Sequence, residues 1–176
     1  MTPNEKFIKS CSTADIDLLR EAIAEGADVN LETNPGDSTY FEEMVFGWGT
    51  DMRMVIEKSA QEFMPAFTED QLVDFAKVLV ENGLNLSHCF GVKVEDSLDI
   101  FWYVAKWGRS LKLLEYLLQN GLKPSVLEMC GGLTPFEELQ SDIDLEIMCG
   151  RSNYAQYLTE VVRLSIAYGA LSPDIK

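Results

Sequence analysis

The sequence predicts an all-α fold, an alpha-solenoid of about four stacked helix pairs, on three observations. Apolar residues recur at the three- and four-residue spacing of a helix along most of the 176 residues, and no stretch alternates convincingly as a strand. Four helical stretches, 15–26, 72–83, 110–121 and 158–169, each end in glycine. Aligned on that glycine, they share one apolar register. Leu18, Phe75, Leu113 and Val161 stand eight before it, and Leu19, Ala76, Leu114 and Val162 seven before. Ile23, Val80, Leu118 and Ile166 stand three before, and Ala27, Leu84, Leu122 and Ala170 directly after. Glycine suits that position because a helix end often needs positive φ, which glycine reaches without a Cβ clash.

A second kind of helix precedes each of these. The pattern predicts helices over 4–11, 39–46, 52–63, 97–107 and 135–147. Ser97 reads as one cap, and Thr134 with Pro135 at the first helical position as another. Thr68 with Gln71 has capping-box spacing at the start of the long helix that ends at Gly83. Gly47-Trp48-Gly49 reads as a break, and 47–68 as an insertion.

The residues then resemble a known family. Residues 15–30, DIDLLREAIAEGADVN, resemble the second half of an ankyrin repeat, whose consensus closes on V-V-x-L-L-L-x-x-G-A-D-V-N. Residues 133–139, LTPFEEL, resemble the T-P-L-H-x-A opening of such a repeat, with Glu137 in place of histidine. Glu81 to Leu86 and Gln119 to Pro124 resemble the same exit in worn form. The glycines lie 57, 38 and 48 residues apart rather than at the family's period of about 33. The resemblance implies one repeat domain over 1–176 that binds a protein with its inner helices and connecting turns.

Charge narrows the partner. The chain carries 29 acids against 14 bases, a formal net charge of −15. Residues 1–50 hold ten acids and three bases, and 51–100 ten and four. Nucleic acid and anionic membrane would be repelled, so a basic protein is the expected partner. An acidic concave face carried by 28–51 and 91–102 would meet it. The residues expected there are Asp28, Glu32, Asp37, Glu42, Glu43, Asp51, Glu95, Asp96 and Asp99, with Trp48 as an exposed hot spot held in its glycine turn. An immunity or antitoxin-like protein masking a basic toxin is one concrete version. The alternatives are a scaffold subunit with a solubilising acidic surface, or a hydrolase using scattered carboxylates.

No catalytic residue, cofactor or metal is expected. His88 is the lone histidine, and its neighbour Cys89 reads as a loop residue rather than a nucleophile. The acids Glu42-Glu43, Glu95-Asp96 and Asp142, Asp144 and Glu146 read as solvated faces, with Asp142 and Glu146 sharing one side of a helix. Gly131-Gly132 lacks a P-loop lysine. Leu98, Phe101, Trp102 and Ala105 form one apolar stripe, and Ile100, Tyr103 and Trp107 a second, as in a helix packed on two sides. Cys11, Cys89, Cys130 and Cys149 form no CxxC pair. With no apolar run long enough for a signal peptide or a membrane span, a cytoplasmic location is expected.

Overall fold

All four glycine-terminated stretches are helices, and they leave by the same turn. The computed structural model describes residues 1–58, 67–90, 98–124 and 132–172. Gly26, Gly83, Gly121 and Gly169 have φ of 93°, 91°, 94° and 68°. The amide after each glycine donates to the carbonyl five residues back: Ala27 to Ala22, Leu84 to Leu79, Leu122 to Leu117 and Ala170 to Ser165. This left-handed exit satisfies helix carbonyls that would otherwise lack donors.

The helices run α1 (Pro3–Thr13), α2 (Ile16–Ala24), α3 (Tyr40–Lys58), α4 (Glu69–Glu81), α5 (Ile100–Trp102), α6 (Leu111–Gln119), α7 (Pro135–Met148) and α8 (Ser152–Ala167). Helix α5 continues into a π-helical segment, Tyr103–Trp107, where the Gly108 amide reaches back to the Tyr103 carbonyl at 2.7 Å. Cys89–Phe90 and Leu98–Asp99 pair as a two-residue antiparallel ribbon, β1 and β2. Among the described residues the fold is all-α apart from this ribbon and one isolated bridge, Glu32 to Thr39.

Helix α2 packs on α4, α4 on α6 and α6 on α8. On the other side α1 touches α3, and α3 touches the π segment. Helices α1 and α2 pack together, as do α7 and α8. The core lies between these rows, with Leu19, Phe75, Leu79, Leu113, Leu114, Leu117, Leu158 and Val161 buried from one side. Phe7, Phe41, Phe101 and Trp102 are buried from the other. Truncating one such leucine to alanine costs about 2–5 kcal/mol, so each register position is a strong structural constraint. In α8, the last of the four glycine-terminated helices, Ile166 is 39% exposed, whereas Leu118 at the same register position of α6 is 4% exposed.

Three first helices open on the same box. Thr2, Thr39 and Thr134 each accept from the amide three residues on, and Glu5, Glu42 and Glu137 each return a carboxylate to the threonine amide. Helix α4 uses Thr68 and Gln71 in the same way, as its spacing predicted.

Two local expectations are corrected. Gly47-Trp48-Gly49 is not a break, because α3 runs through it as one helix. Gly49 is small for a different reason: a Cβ there would lie 1.4 Å from the Trp107 carbonyl oxygen. The glycine lets α3 cross the π segment backbone to backbone. The helix expected over 97–107 begins at Ile100, and Asp99 rather than Ser97 caps it, accepting from the Trp102 amide at 3.1 Å. Ser97 lies outside the described residues, as does the 59–66 part of the expected insertion.

Candidate functional site

Of the acids singled out from the sequence, Asp28, Glu32 and Asp37 lie in the connection between α2 and α3, and Glu42 and Glu43 on the first turn of α3. Asp28 opens it by accepting from the Asn30 amide at 2.9 Å. Asn30 then spans to the next exit, donating to the Gly83 carbonyl at 3.0 Å and accepting from the Asn85 amide at 2.6 Å. Asn85 in turn accepts from the Ser87 amide, repeating the turn that Asp28 makes. Both turns sit two residues beyond their glycines.

Residues 32–39 form a short hairpin closed by a Glu32–Thr39 bridge. The Gly36 amide donates to Glu32 Oε2 at 2.7 Å, and Asn34 Nδ2 to Asp37. These bonds fix a loop whose Asp28 and Asp37 face solvent, and Glu43 is exposed on the first turn of α3. The Ser38 hydroxyl donates to Glu43.

Glu42 turns inward. It is fully buried, and its Oε2 takes the Thr39 amide at 2.6 Å and hydroxyl at 2.9 Å. His88 Nδ1 lies 3.2 and 3.1 Å from its two oxygens, while His88 Nε2 faces Glu32 Oε1 at 3.3 Å. One imidazole thus ties the hairpin, the start of α3 and the segment after α4. Burial pushes the Glu42 carboxyl above the usual carboxylate range, against the opposing pull of Thr39 and His88. Glu32 is held below that range, first by the Gly36 amide and then by His88. Burial and the nearby Glu43 raise the Tyr103 phenol.

This geometry corrects three expected surface positions. Glu42 and Asp99 are both 0% exposed, because one is the inward half of a capping box and the other caps α5. Trp48 is 5% exposed and stacks on Phe67 at 5.5 Å, so it serves the core rather than an open turn. Glu32 is partly exposed, and Asp28, Asp37 and Glu43 are exposed. The side chain of Asp51, and Glu95 and Asp96 entirely, lie outside the described residues.

Asp142 and Glu146 do share a side of α7, but as ion-pair partners rather than a solvated face. Asp142 meets Lys106 at 2.6 Å and Glu146 meets Arg151 at 2.6 Å. Of the expected stripes, Ile100, Phe101, Trp102 and Ala105 are buried, while Tyr103 and Trp107 stay partly exposed on the π turn.

Sequence reasoning missed the role of His88. Its one signal was Glu42, spaced from Thr39 as Glu137 is from Thr134, which marks an inward-capping carboxylate. Both ring nitrogens face carboxylates, so the imidazole is engaged on both sides. Cys89 is exposed beside it, whereas Cys11 is buried and its thiol is pushed up to about 12 by burial. The Cys130 thiol lies outside the described residues. Among the described residues no three His, Cys, Asp or Glu side chains are placed to share a metal ion, and no helix is long and apolar enough to cross a membrane. Compared with known proteins, the chain matches no family model and no curated sequence.

Proposed function

We propose that this chain is a degenerate ankyrin-like array of stacked helix pairs that binds a basic protein in the cytoplasm and catalyses nothing. Three features support the repeat reading: the four matching glycine exits, the shared Thr-x-x-Glu boxes and the Asn30 bridge between successive exits. The observation that carries the binding reading is the rigid connection between α2 and α3. Its hydrogen bonds fix a connection on which Asp28 and Asp37 are exposed, with Glu43 exposed on the first turn of α3, in a chain of net charge −15. Fixed charges of one sign steer an oppositely charged partner and lose little entropy when it docks. A toxin-neutralising role, with the acids standing in for a toxin's anionic substrate, is the concrete form we favour. The occupied nitrogens of His88 support a binder over a hydrolase.

The test is affinity capture from the native cells at low and at high salt, with the wild-type chain and with Asp28→Asn/Asp37→Asn/Glu43→Gln. We expect one basic protein that salt releases and that the triple variant holds about tenfold more weakly. An acidic partner, or binding indifferent to both salt and the triple variant, refutes the reading.

A further inference from the structure

The geometry points to a second, independent site: a small cavity between residue 109 and the start of α8 that binds an organic phosphate. It rests on different residues from the acidic surface and does not depend on that reading.

The cavity holds about 220 Å³ and is lined by Arg109, Arg151, Ser152, Asn153, Tyr154 and Tyr157, with Gly150. Its walls follow from the π segment. The wide turn leaves carbonyls facing α8, and Tyr154 and Tyr157 donate their hydroxyls to Lys106 and Val104 at 2.5 and 3.3 Å. Both phenols are thereby committed to the frame, and the two rings stack at 5.9 Å. Arg109 follows at φ 46°, a left-handed conformation that an arginine seldom adopts. This places its guanidinium over the Tyr154 ring at 4.3 Å, on the cavity wall.

What singles out Arg109 is the lack of a carboxylate. Lys6, Arg20, Lys77, Lys106, Lys112, Arg151 and Arg163 all pair with acids. Among the bases whose side chains are described, Lys9, Lys123 and Arg109 meet no described carboxylate. The two lysines are exposed, whereas Arg109 is partly buried in the cavity. In a chain with twice as many acids as bases, a sheltered guanidinium without an acid lacks its anion. Arg151 adds a second guanidinium, although Glu146 already holds it at 2.6 Å, so among the described residues the cavity's balance is one positive charge. The first turn of α8 has no side-chain cap, because Arg151 occupies that position. Its leading amides are therefore available to an anion's oxygens.

Phosphate fits better than carboxylate, because its extra acceptor oxygen can serve the guanidinium fork and the helix amides together. The cavity exceeds what a bare phosphate fills, and the tyrosine rings give the remainder an apolar wall. The expected ligand is a phosphate ester with a small organic group.

The experiment follows amide chemical shifts in the full chain during titration with inorganic phosphate, phenyl phosphate and phenol. Both phosphates should move Ser152 and Asn153, with phenyl phosphate binding about tenfold more tightly, and phenol should do nothing. Arg109→Asn keeps a residue that tolerates left-handed backbone and should weaken phenyl phosphate at least about tenfold. Arg109→Lys, retaining charge without the fork, should fall between and guards against a misfolded variant. No shift at millimolar phosphate, unchanged affinity in a folded Arg109→Asn, or equal binding of phosphate and phenyl phosphate would overturn the assignment.

Discussion

The starts of α3 and α7 carry the same local device and put it to different use. At α3, the Thr39 amide and hydroxyl reach Glu42 Oε2 at 2.6 and 2.9 Å. At α7, the Thr134 amide and hydroxyl reach Glu137 Oε2 at 2.9 and 3.0 Å. The boxes nearly superpose in distance, yet Glu42 is fully buried and Glu137 is exposed. The difference is imported. His88 arrives from beyond α4 and closes over Glu42, and no histidine exists to do so at Glu137. A cap is thus a property of four consecutive residues, while a buried charge is a property of the fold.

The largest test of that difference is His88→Ala. It leaves the buried Glu42 carboxylate facing a cavity and frees Glu32 from its ring partner. Leaving a buried carboxyl without its ring partner costs about 1–3 kcal/mol, and the cavity left by the imidazole adds to it, so we expect about 3. Urea unfolding at neutral pH measures it. A loss below about 0.5 kcal/mol, the range of ordinary surface substitutions, would show that the imidazole is incidental.

The second test is the pH profile of Glu42→Gln against wild type. Glu42 is raised in the folded chain, so its protonated form is the one folding prefers. Stability from this group is fully present below the unfolded carboxylate pKa of about 4.3 and is lost as pH rises through the folded value. Wild type should therefore fall behind Glu42→Gln on passing from acid towards neutral pH. Parallel profiles at Glu42 would mean that Thr39 and His88 fully offset its burial.

Much of the fold was legible because its signals are local. Helix exits were readable from glycine, since a left-handed turn is decided within a few residues, and Thr68, Thr134 and Pro135 marked starts for the same reason. Gly49 was not, because glycine serves both to break a helix and to admit a neighbour, and the neighbour, Trp107, is 58 positions away. The π turn was hidden too, since its apolar residues read equally well on an α stripe. Of the site, the exposed acids Asp28, Asp37 and Glu43 were readable from charge alone. Glu42 and Asp99 carry the same charge but cap helices inward, and only their partners reveal that. Trp48 failed likewise: flanking glycines suggested a turn, while Phe67 supplies a ring to pack on.

A smaller contrast separates the two threonines. Thr39 is 2% exposed, and its hydroxyl both caps α3 and donates to the buried Glu42. Thr39→Ala should cost about 2 kcal/mol, the upper end for a lost cap, whereas Thr134→Ala, with water at hand, should cost about 1. Thermal or urea unfolding of the pair resolves a gap of that size. Equal costs would mean that burial adds nothing to the cap.

The smallest effect should come from Glu137→Gln. Glutamine keeps the box, as α4 already demonstrates: the Thr68 amide donates to Gln71 Oε1 at 2.8 Å, and the Gln71 amide to the Thr68 hydroxyl at 3.2 Å. What is lost at α7 is one negative charge near a helix N-terminus, worth about 0.3 kcal/mol at an exposed site and less in salt. The same substitution at Glu42 alters a group that a histidine and two threonine donors all address. If Glu137→Gln shifted unfolding at neutral pH as far as Glu42→Gln does, the two boxes would be equivalent after all, and the clamp around Glu42 would lose its energetic meaning.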